Sequence, residues 1–169
     1  MLLAPLIALA ALVAAAPAPL PDPIPEEGIL LSRQVSPFIY WRHGTDRRTL
    51  MACAGGGPTG TRNGDLIQIG MSYFRYCNPS WSVTGNINQG PTRCMDATLY
   101  PGNGVKPHMW QCYNGVWQQQ WRYHADGTIR LDGHNLCLDV TDGDPTKPVQ
   151  MWECFPGNTN QQWDLVYPA

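Results

Sequence analysis

The chain has 169 residues, of which 11 are basic and 13 acidic, for a formal net charge of −2. A chain of this length holds one ordinary domain and excludes a second, catalytic one. The charged residues form no runs, so the sequence lacks the electrostatic footprint of a nucleic-acid or anionic-membrane binder and favours a neutral partner. With 17 Gly, 16 Pro, seven Trp and seven Tyr, the composition is typical of short strands joined by tight turns.

Residues 1–18 are typical of a secretory signal peptide. They read MLLAPLIALAALVAAAPA, an apolar stretch that ends in small residues and is too short to favour a membrane span. No basic residue precedes the apolar core, which leaves an uncleaved anchor as the alternative. Residues 19–37 form a Pro-rich linker or pro-segment, because closely spaced prolines prevent a helix. We therefore expect a secreted, extracellular protein with a folded domain at 38–168 and no membrane insertion after signal cleavage.

Six cysteines lie in this domain, and their spacing indicates how they pair. Six cysteines in an exported chain imply disulfides, for which fifteen connectivities exist in principle. The simplest pairing closes one loop in each of three successive units. A zinc site is the rival interpretation, but Cys-x-x-Cys pairs are absent, so we expect no metal and no cofactor. The expected disulfides are Cys53–Cys77, Cys94–Cys112 and Cys137–Cys154.

The same three units form an internal repeat. Three short motifs of the second unit recur in the third at a nearly constant shift of 42 or 43 residues, which is hard to obtain by chance. A degraded first copy runs from Cys53 to Trp81. The matched segments are 94–97 with 137–140, 109–112 with 151–154, and 119–121 with 161–163.

Local patterns within the repeat predict strands. Residues 121–124 and 128–131 flank an Ala-Asp-Gly sequence that is typical of a β-hairpin turn. Residues 81–84 and 86–88 flank Gly85 in the same way. The strand at 163–167 has no following strand of its own and the strand at 38–41 has no preceding one. Pairing these two would close the sheet and remove exposed strand edges.

Two units combine Cys-x-Asp, Trp-x-Cys and Gln-x-Trp, and in this the sequence resembles the ricin B-type lectins. The resemblance covers roughly residues 38–168. It implies an all-β fold, a β-trefoil of three repeats of about 40 residues, each with one intra-repeat disulfide. It also implies a shallow sugar pocket in each repeat, in which an Asp and an Asn or Gln bind hydroxyl groups and an aromatic ring supports the apolar face of the sugar.

The resemblance assigns sugar-binding residues repeat by repeat. The third repeat matches the family's pocket in all five residue types, whereas the second has His and Gln where the family more often has Gln and Asn. The first repeat has Gly55 at the Asp position, and Tyr73, Arg75, Asn78 and Pro79 at the others, so we expect no sugar binding there. The carbohydrate-binding residues are thus Asp139, Gln150, Trp152, Asn160 and Gln161, together with Asp96, His108, Trp110, Gln118 and Gln119.

A structural role is the alternative interpretation for several of these residues. Asp96 and Asp139 follow cysteines near turns, where an Asp often bonds nearby backbone N–H groups. Trp110 and Trp152 have burial in the core as their alternative to exposure. The tryptophans of the Gln-x-Trp motifs are expected in the core, and the glutamines of these motifs are expected to satisfy backbone groups.

The function that the resemblance implies is binding of glycans, of the galactose or N-acetylgalactosamine type, without enzymatic activity. Two other functions stay open. One is an inhibitor or effector that binds a protein target, since fold alone does not determine function. The other is a glycosidase, which needs two carboxylates about 5 to 9 Å apart. Asp96 and Asp139 belong to different repeats, which argues against hydrolysis.

Overall fold

The computed structural model describes residues 36–54, 61–70, 76–83 and 86–168. Within these ranges the regular structure consists of strands and three short 3₁₀ turns, which confirms the all-β prediction. The predicted signal peptide and most of the linker lie outside the described residues. The strands are β1 (Phe38–Trp41), β2 (Thr49–Cys53), β3 (Ile67–Gly70), β4 (Cys77–Asn78), β5 (Arg93–Asp96), β6 (His108–Gln111), β7 (Trp121–Tyr123), β8 (Ile129–Leu131), β9 (Leu136–Asp139), β10 (Gln150–Glu153) and β11 (Trp163–Val166), and the 3₁₀ turns span Trp117–Gln119, Thr141–Gly143 and Thr159–Gln161.

Each repeat begins with an antiparallel strand pair. These pairs are β2 with β3, β5 with β6, and β9 with β10. In the second repeat the register places Asp96 opposite His108, and in the third it places Asp139 opposite Gln150. In each of these two repeats, the Asp and the residue opposite it, both assigned to the sugar pocket, are therefore direct cross-strand neighbours.

The first and last strands close the sheet as predicted. β1 pairs with β11 along its full length, from Phe38 opposite Val166 to Trp41 opposite Trp163. β1 therefore serves as the final strand of the third repeat, although it comes from the N-terminal side of the domain. Neither of these terminal strands is left with both edges free, which is how closed β structures avoid edge-to-edge association.

The hairpin between β7 and β8 is present where the Asp-Gly turn predicts it. Trp121 pairs with Leu131 and Tyr123 with Ile129, and Gly127 in the turn has φ +86°, a value that favours glycine. In the first repeat, the described residues at the corresponding place form a single bridge, between Ser82 and Asn88. Gly85 lies outside the described residues.

The three repeats share one core. Its largest members are Trp81, Trp121 and Trp163, one from each repeat, all with no exposed surface. The indole N–H of Trp81 donates to the Leu50 carbonyl at 2.8 Å, and that of Trp163 donates to the Leu138 carbonyl at 3.1 Å. The core assignment of the Gln-x-Trp tryptophans is therefore confirmed.

One disulfide lies within each repeat. The bonds join Cys53 to Cys77, Cys94 to Cys112 and Cys137 to Cys154, as the spacing predicts. Each bond ties the first strand of its repeat to the segment that leads toward the buried tryptophan. In the chain-entropy view, closing loops of this size stabilises the domain by about 3 kcal/mol each.

Candidate functional site

A small pocket lies at the end of β9, where β10 and the turn at Thr159–Gln161 meet it. We call it the third-repeat pocket. Its volume is about 180 Å³. Four of the five residues that the sequence assigns to this repeat line it, together with two that it does not. The lining residues are Asp139, Asp142, Gln150, Trp152, Asn158 and Asn160.

Asp139 forms the floor of the third-repeat pocket and is only 3% exposed. Its Oδ1 accepts a hydrogen bond from Gln150 Nε2 at 2.9 Å, and its Oδ2 accepts one from Asn158 Nδ2 at 3.4 Å. Burial raises the pKa of Asp139, while these hydrogen bonds and the charge of Lys106 act in the opposite direction. The carboxylate is held in place by amide donors that leave part of its acceptor capacity for a ligand.

Lys106 orients the Gln150 amide. Its Nζ donates to Gln150 Oε1 at 3.3 Å and to Thr141 Oγ1 at 2.9 Å. With its oxygen turned to Lys106, Gln150 presents its NH₂ group to Asp139. Burial lowers the pKa of Lys106, and the nearby carboxylates of Asp142 and Asp139 oppose this shift.

Trp152 offers an aromatic surface beside the carboxylate. It stands two residues after Gln150 in β10, so both side chains point to the same face of the strand pair. Its side chain is 38% exposed, and Trp110 of the second repeat is 37% exposed. Both rings are therefore accessible, and the alternative of full burial is wrong.

The 3₁₀ turn at Thr159–Gln161 positions the two asparagines. Asn158 caps this turn, since its Oδ1 accepts a hydrogen bond from the Asn160 backbone N–H at 3.0 Å. The Asn160 side chain packs against Gly143, where an added Cβ would lie only 3.2 Å from Asn160 Oδ1. Gly143 also has φ +67°, so both space and backbone conformation favour glycine at this position.

The glutamines of the Gln-x-Trp motifs lie beneath the pockets, not in them. Gln119 and Gln161 have no exposed surface, so the assignment of a direct sugar contact to them is corrected. Gln161 Nε2 donates to the Glu153 carbonyl at 2.9 Å, and its Oε1 accepts from the Phe155 N–H at 3.0 Å. Gln119 makes the equivalent backbone bonds and also donates to Asp96 Oδ2 at 2.9 Å. The two residues satisfy buried backbone groups and support the pocket from below.

A second, larger pocket lies at the end of β5 and is called the second-repeat pocket. Its volume is about 490 Å³. It contains four of the five residues that the sequence assigns to this repeat, with the His108 ring edge-on to Trp110 at 5.4 Å between centroids. Its lining consists of Asp96, Thr98, Leu99, Tyr100, His108, Trp110, Tyr113, Val116 and Gln118.

Asp96 also has a structural role. Its Oδ1 accepts a hydrogen bond from the Thr98 backbone N–H at 2.8 Å, the short-range bond that the alternative interpretation anticipates. Its Oδ2 accepts from Gln119, and the side chain is 8% exposed. Asp96 thus lines its pocket and at the same time fixes the turn that follows β5.

The geometry of both pockets agrees with the sequence comparison. The family description "ricin-type beta-trefoil lectin domain" matches residues 77–166, more than half of the chain. The chain belongs to this family. Domains of the family bind carbohydrate and are not themselves catalytic. A comparison with curated protein sequences finds no significant match.

Solved structures of lectins share the fold of this lectin domain. They include the agglutinin from Abrus precatorius (TM-score 0.55, 23% identity, 79% of this chain and 48% of that one). A non-toxic homologue of type II RIPs from Momordica charantia, in complex with α-methyl-D-galactoside, has a TM-score of 0.60 at 17% identity with the same coverage. The C-half of the earthworm R-type lectin, in complex with GalNAc, has a TM-score of 0.55 at 15% identity, covering 79% of this chain and 99% of that one. The present chain spans about half the length of the first two structures.

The structure describes only some of the pocket positions of the first repeat. Asn78 lies in β4, where its Oδ1 accepts from the Ser80 N–H at 3.0 Å. Gly55, Tyr73 and Arg75 lie outside the described residues. The absence of sugar binding in the first repeat therefore stays a prediction.

The described ranges contain no group of three or more His, Cys, Asp or Glu side chains placed to hold a metal ion. In the same ranges, no helix is long and apolar enough to cross a membrane.

Three residues around the third-repeat pocket escape the motif-based prediction. Asn158 lies two positions before Asn160. Its place at the pocket becomes apparent only from the hydrogen bond by which it caps the 3₁₀ turn. Lys106 comes from the preceding repeat, 33 positions before Asp139, and no spacing rule connects the two. Asp142 pairs with Lys147 at 2.7 Å on the rim, where both side chains are largely exposed.

Proposed function

We propose that this lectin domain binds glycans of the galactose or N-acetylgalactosamine type and that the protein is secreted. The observation that carries the proposal is the third-repeat pocket, where a buried carboxylate and an exposed indole ring meet within about 180 Å³. This is the combination that a hexose requires, because a hexose has vicinal hydroxyl groups on one side and a patch of C–H groups on another.

The hydroxyl groups are bound by the polar side of the pocket. As a carboxylate, Asp139 accepts hydrogen bonds from adjacent hydroxyls, and a bond to a charged group contributes roughly 1.5 to 3 kcal/mol. The Asn160 amide lines the same space and supplies a donor to the same hydroxyls. Gln150 and Asn158 already bond Asp139, so the acceptor is oriented before the sugar arrives.

The C–H face of the sugar is bound by the aromatic side of the pocket. Trp152 is a flat and rigid surface of low conformational cost. Sugars with an axial O4 expose a continuous C–H face, which fits a single ring of this kind. Structures of two proteins of the same fold, one in complex with α-methyl-D-galactoside and one with GalNAc, support this choice of sugar class.

Secretion is supported by the sequence of residues 1–18 and by the cysteines. All six cysteines of the chain are paired in disulfides, and such bonds persist in oxidising compartments. Retention of the protein in the cytosol of producing cells, with free thiols, would contradict this part of the proposal.

Retention on galactose–agarose tests the sugar binding. We expect the protein to be retained and to elute with free galactose. We expect Asp139→Ala to lose most of the retention that the third-repeat pocket contributes, while the domain stays folded. Asp132→Ala is the matched control, because Asp132 is exposed, pairs with Arg122 and lines neither pocket. Absence of retention, together with sugar-independent protease inhibition, would instead favour a protein-directed inhibitor or effector.

A further inference from the structure

Large apolar side chains surround the mouth of the second-repeat pocket. Leu99 is 68% exposed and Tyr100 is 85% exposed, and both follow the turn after Asp96. Tyr113, which lines the same pocket, is 49% exposed. Single exposed apolar residues are normal on a protein surface, but several that converge on one concavity mark a binding surface.

The third-repeat pocket has polar groups at the corresponding places in the sequence. Three positions after its carboxylate stands Asp142, which forms an ion pair with Lys147, whereas Leu99 stands three positions after Asp96. Val116 lies 42 positions before Asn158, at the constant shift of the repeat. Where Asn158 donates to the pocket carboxylate, Val116 contributes an apolar surface.

The two pockets also differ in size. The second-repeat pocket measures about 490 Å³ and the third-repeat pocket about 180 Å³. Pockets that bind drug-sized organic ligands typically have volumes of about 300 to 1,000 Å³. The second-repeat pocket falls in this range, so it has room for a group attached to the sugar ring, and the third does not.

The floor of the second-repeat pocket is nevertheless polar. The Asp96 carboxylate and the Gln118 amide line it beside the Trp110 ring. A wholly apolar ligand would remove Asp96 from water without providing a hydrogen bond, which is costly for a carboxylate. The matching ligand therefore has hydroxyl groups at one end and an apolar group at the other.

We infer that the second-repeat pocket binds a glycoside with an apolar aglycone. The sugar ring lies over Trp110 with its hydroxyls toward Asp96, and the aglycone lies against Leu99, Tyr100 and Tyr113. The aromatic residues favour an aryl aglycone, because ring pairs gain additional stabilisation from offset or edge-to-face contacts. The inference rests on the proposed lectin function and extends it, since it gives the two pockets different ligands.

Calorimetric titration of the Asp139→Ala protein tests the inference, because this variant leaves the second-repeat pocket as the binding site. The probes are methyl β-D-galactopyranoside and phenyl β-D-galactopyranoside. We expect the phenyl glycoside to bind about tenfold more tightly, as partial burial of one ring predicts. Hexyl β-D-galactopyranoside, as a third probe, distinguishes a preference for an alkyl chain from a preference for an aromatic ring. Stronger binding of the phenyl or the hexyl galactoside than of the methyl galactoside supports the inference.

The rim residues are tested by the double variant Leu99→Ser/Tyr100→Ser in the same background. We expect the phenyl-to-methyl preference to fall to about twofold or less. Tyr167→Ser is the matched control, because Tyr167 is an exposed aromatic residue (58%) that does not line this pocket. It should leave the preference unchanged.

The outcomes separate this inference from the proposed function. A phenyl-to-methyl ratio near one in the Asp139→Ala protein, or a preference that persists in Leu99→Ser/Tyr100→Ser, contradicts the inference alone. In both cases methyl galactoside still binds the third-repeat pocket of the unmodified protein. If the unmodified protein binds neither galactoside, the proposed function and the inference are both overturned.

Discussion

The carboxyl group of Asp139 is almost completely buried, and the proposed chemistry requires it to be ionised. Burial raises its pKa, and the amide hydrogen bonds and Lys106 oppose the shift. Because the folded domain holds this proton more tightly than the unfolded chain, the stability that Asp139 contributes falls as pH rises from the unfolded pKa through the folded one. Sugar binding has the opposite dependence, since only the carboxylate accepts hydrogen bonds at both oxygens.

We therefore predict that galactoside binding at the third-repeat pocket weakens on acidification, beginning above the ordinary Asp pKa of 3.8. Titration of methyl galactoside into the Asp96→Ala protein at a series of pH values measures this. Asp139→Asn in the same background should bind weakly and without this pH dependence. Affinity that stays constant as the pH falls through 3.8 would contradict the proposed role of the Asp139 carboxylate.

Lys106 acts on the third-repeat pocket through Gln150. Lys106→Met removes the donor that holds Gln150 Oε1, so the amide loses its fixed orientation toward Asp139. We predict a loss of galactoside affinity of roughly three- to tenfold at this pocket, equivalent to one hydrogen bond. Lys106→Arg retains a donor and should restore part of the affinity. Equal affinities of the Met variant and the unmodified protein would exclude this positioning role.

At the scale of strands, two tryptophans of the third repeat have different roles. Trp163 at the start of β11 has no exposed surface and donates to the Leu138 carbonyl, whereas Trp152 in β10 faces solvent. We predict that Trp163→Ala lowers the free energy of unfolding by roughly 3 to 5 kcal/mol in denaturant titrations. Trp152→Ala should leave stability nearly unchanged and abolish most sugar binding at its pocket. A large loss of stability in Trp152→Ala, with a small one in Trp163→Ala, would contradict the assignment of Trp163 to the core and of Trp152 to the sugar-binding surface.

Most strands could be predicted because the same sequence pattern occurs in more than one repeat, so each copy supports the assignment of strands in the others. The repeat predicts one disulfide in each unit, the Asp-Gly turn predicts the hairpin of β7 and β8, and the two unpaired terminal strands predict the closure of β1 on β11. All of these are present. The first copy is less regular, and there the described residues form a single bridge at the place of the expected hairpin. Its sequence lacks the Gln-x-Trp motif, and the segment before Trp81 is instead held by Gln89 Nε2, which donates to the Asn78 carbonyl at 2.6 Å.

The pockets were predictable only in part. Asp139, Gln150, Trp152 and Asn160 are assigned from the resemblance to the family's motif, and they do line one pocket. Contacts between repeats, such as that of Lys106 with Gln150, depend on how the units pack and leave no local pattern. The apolar rim at Leu99 and Tyr100 lies in a loop that is one residue longer than its counterpart, and motif spacing alone does not indicate that these side chains line the pocket.

At the scale of the whole molecule, the closed fold presents two pockets on one rigid domain. A single shallow pocket should bind a monosaccharide near the millimolar range, or about 4 kcal/mol. We expect clustered glycans that reach both pockets to bind more tightly, because the second contact would form at a high effective concentration. We expect the second and third repeats to contribute to one such binding event, while the first repeat completes the fold.

A glycan array probed with the protein and with the double variant Asp96→Ala/Asp139→Ala tests this account most directly. We predict binding to densely displayed terminal galactose and N-acetylgalactosamine, little binding to glucose or mannose, and loss of the signal in the folded double variant. Binding of galactose-type glycans that survives in the double variant, or no binding of them by the unmodified protein, would contradict the account.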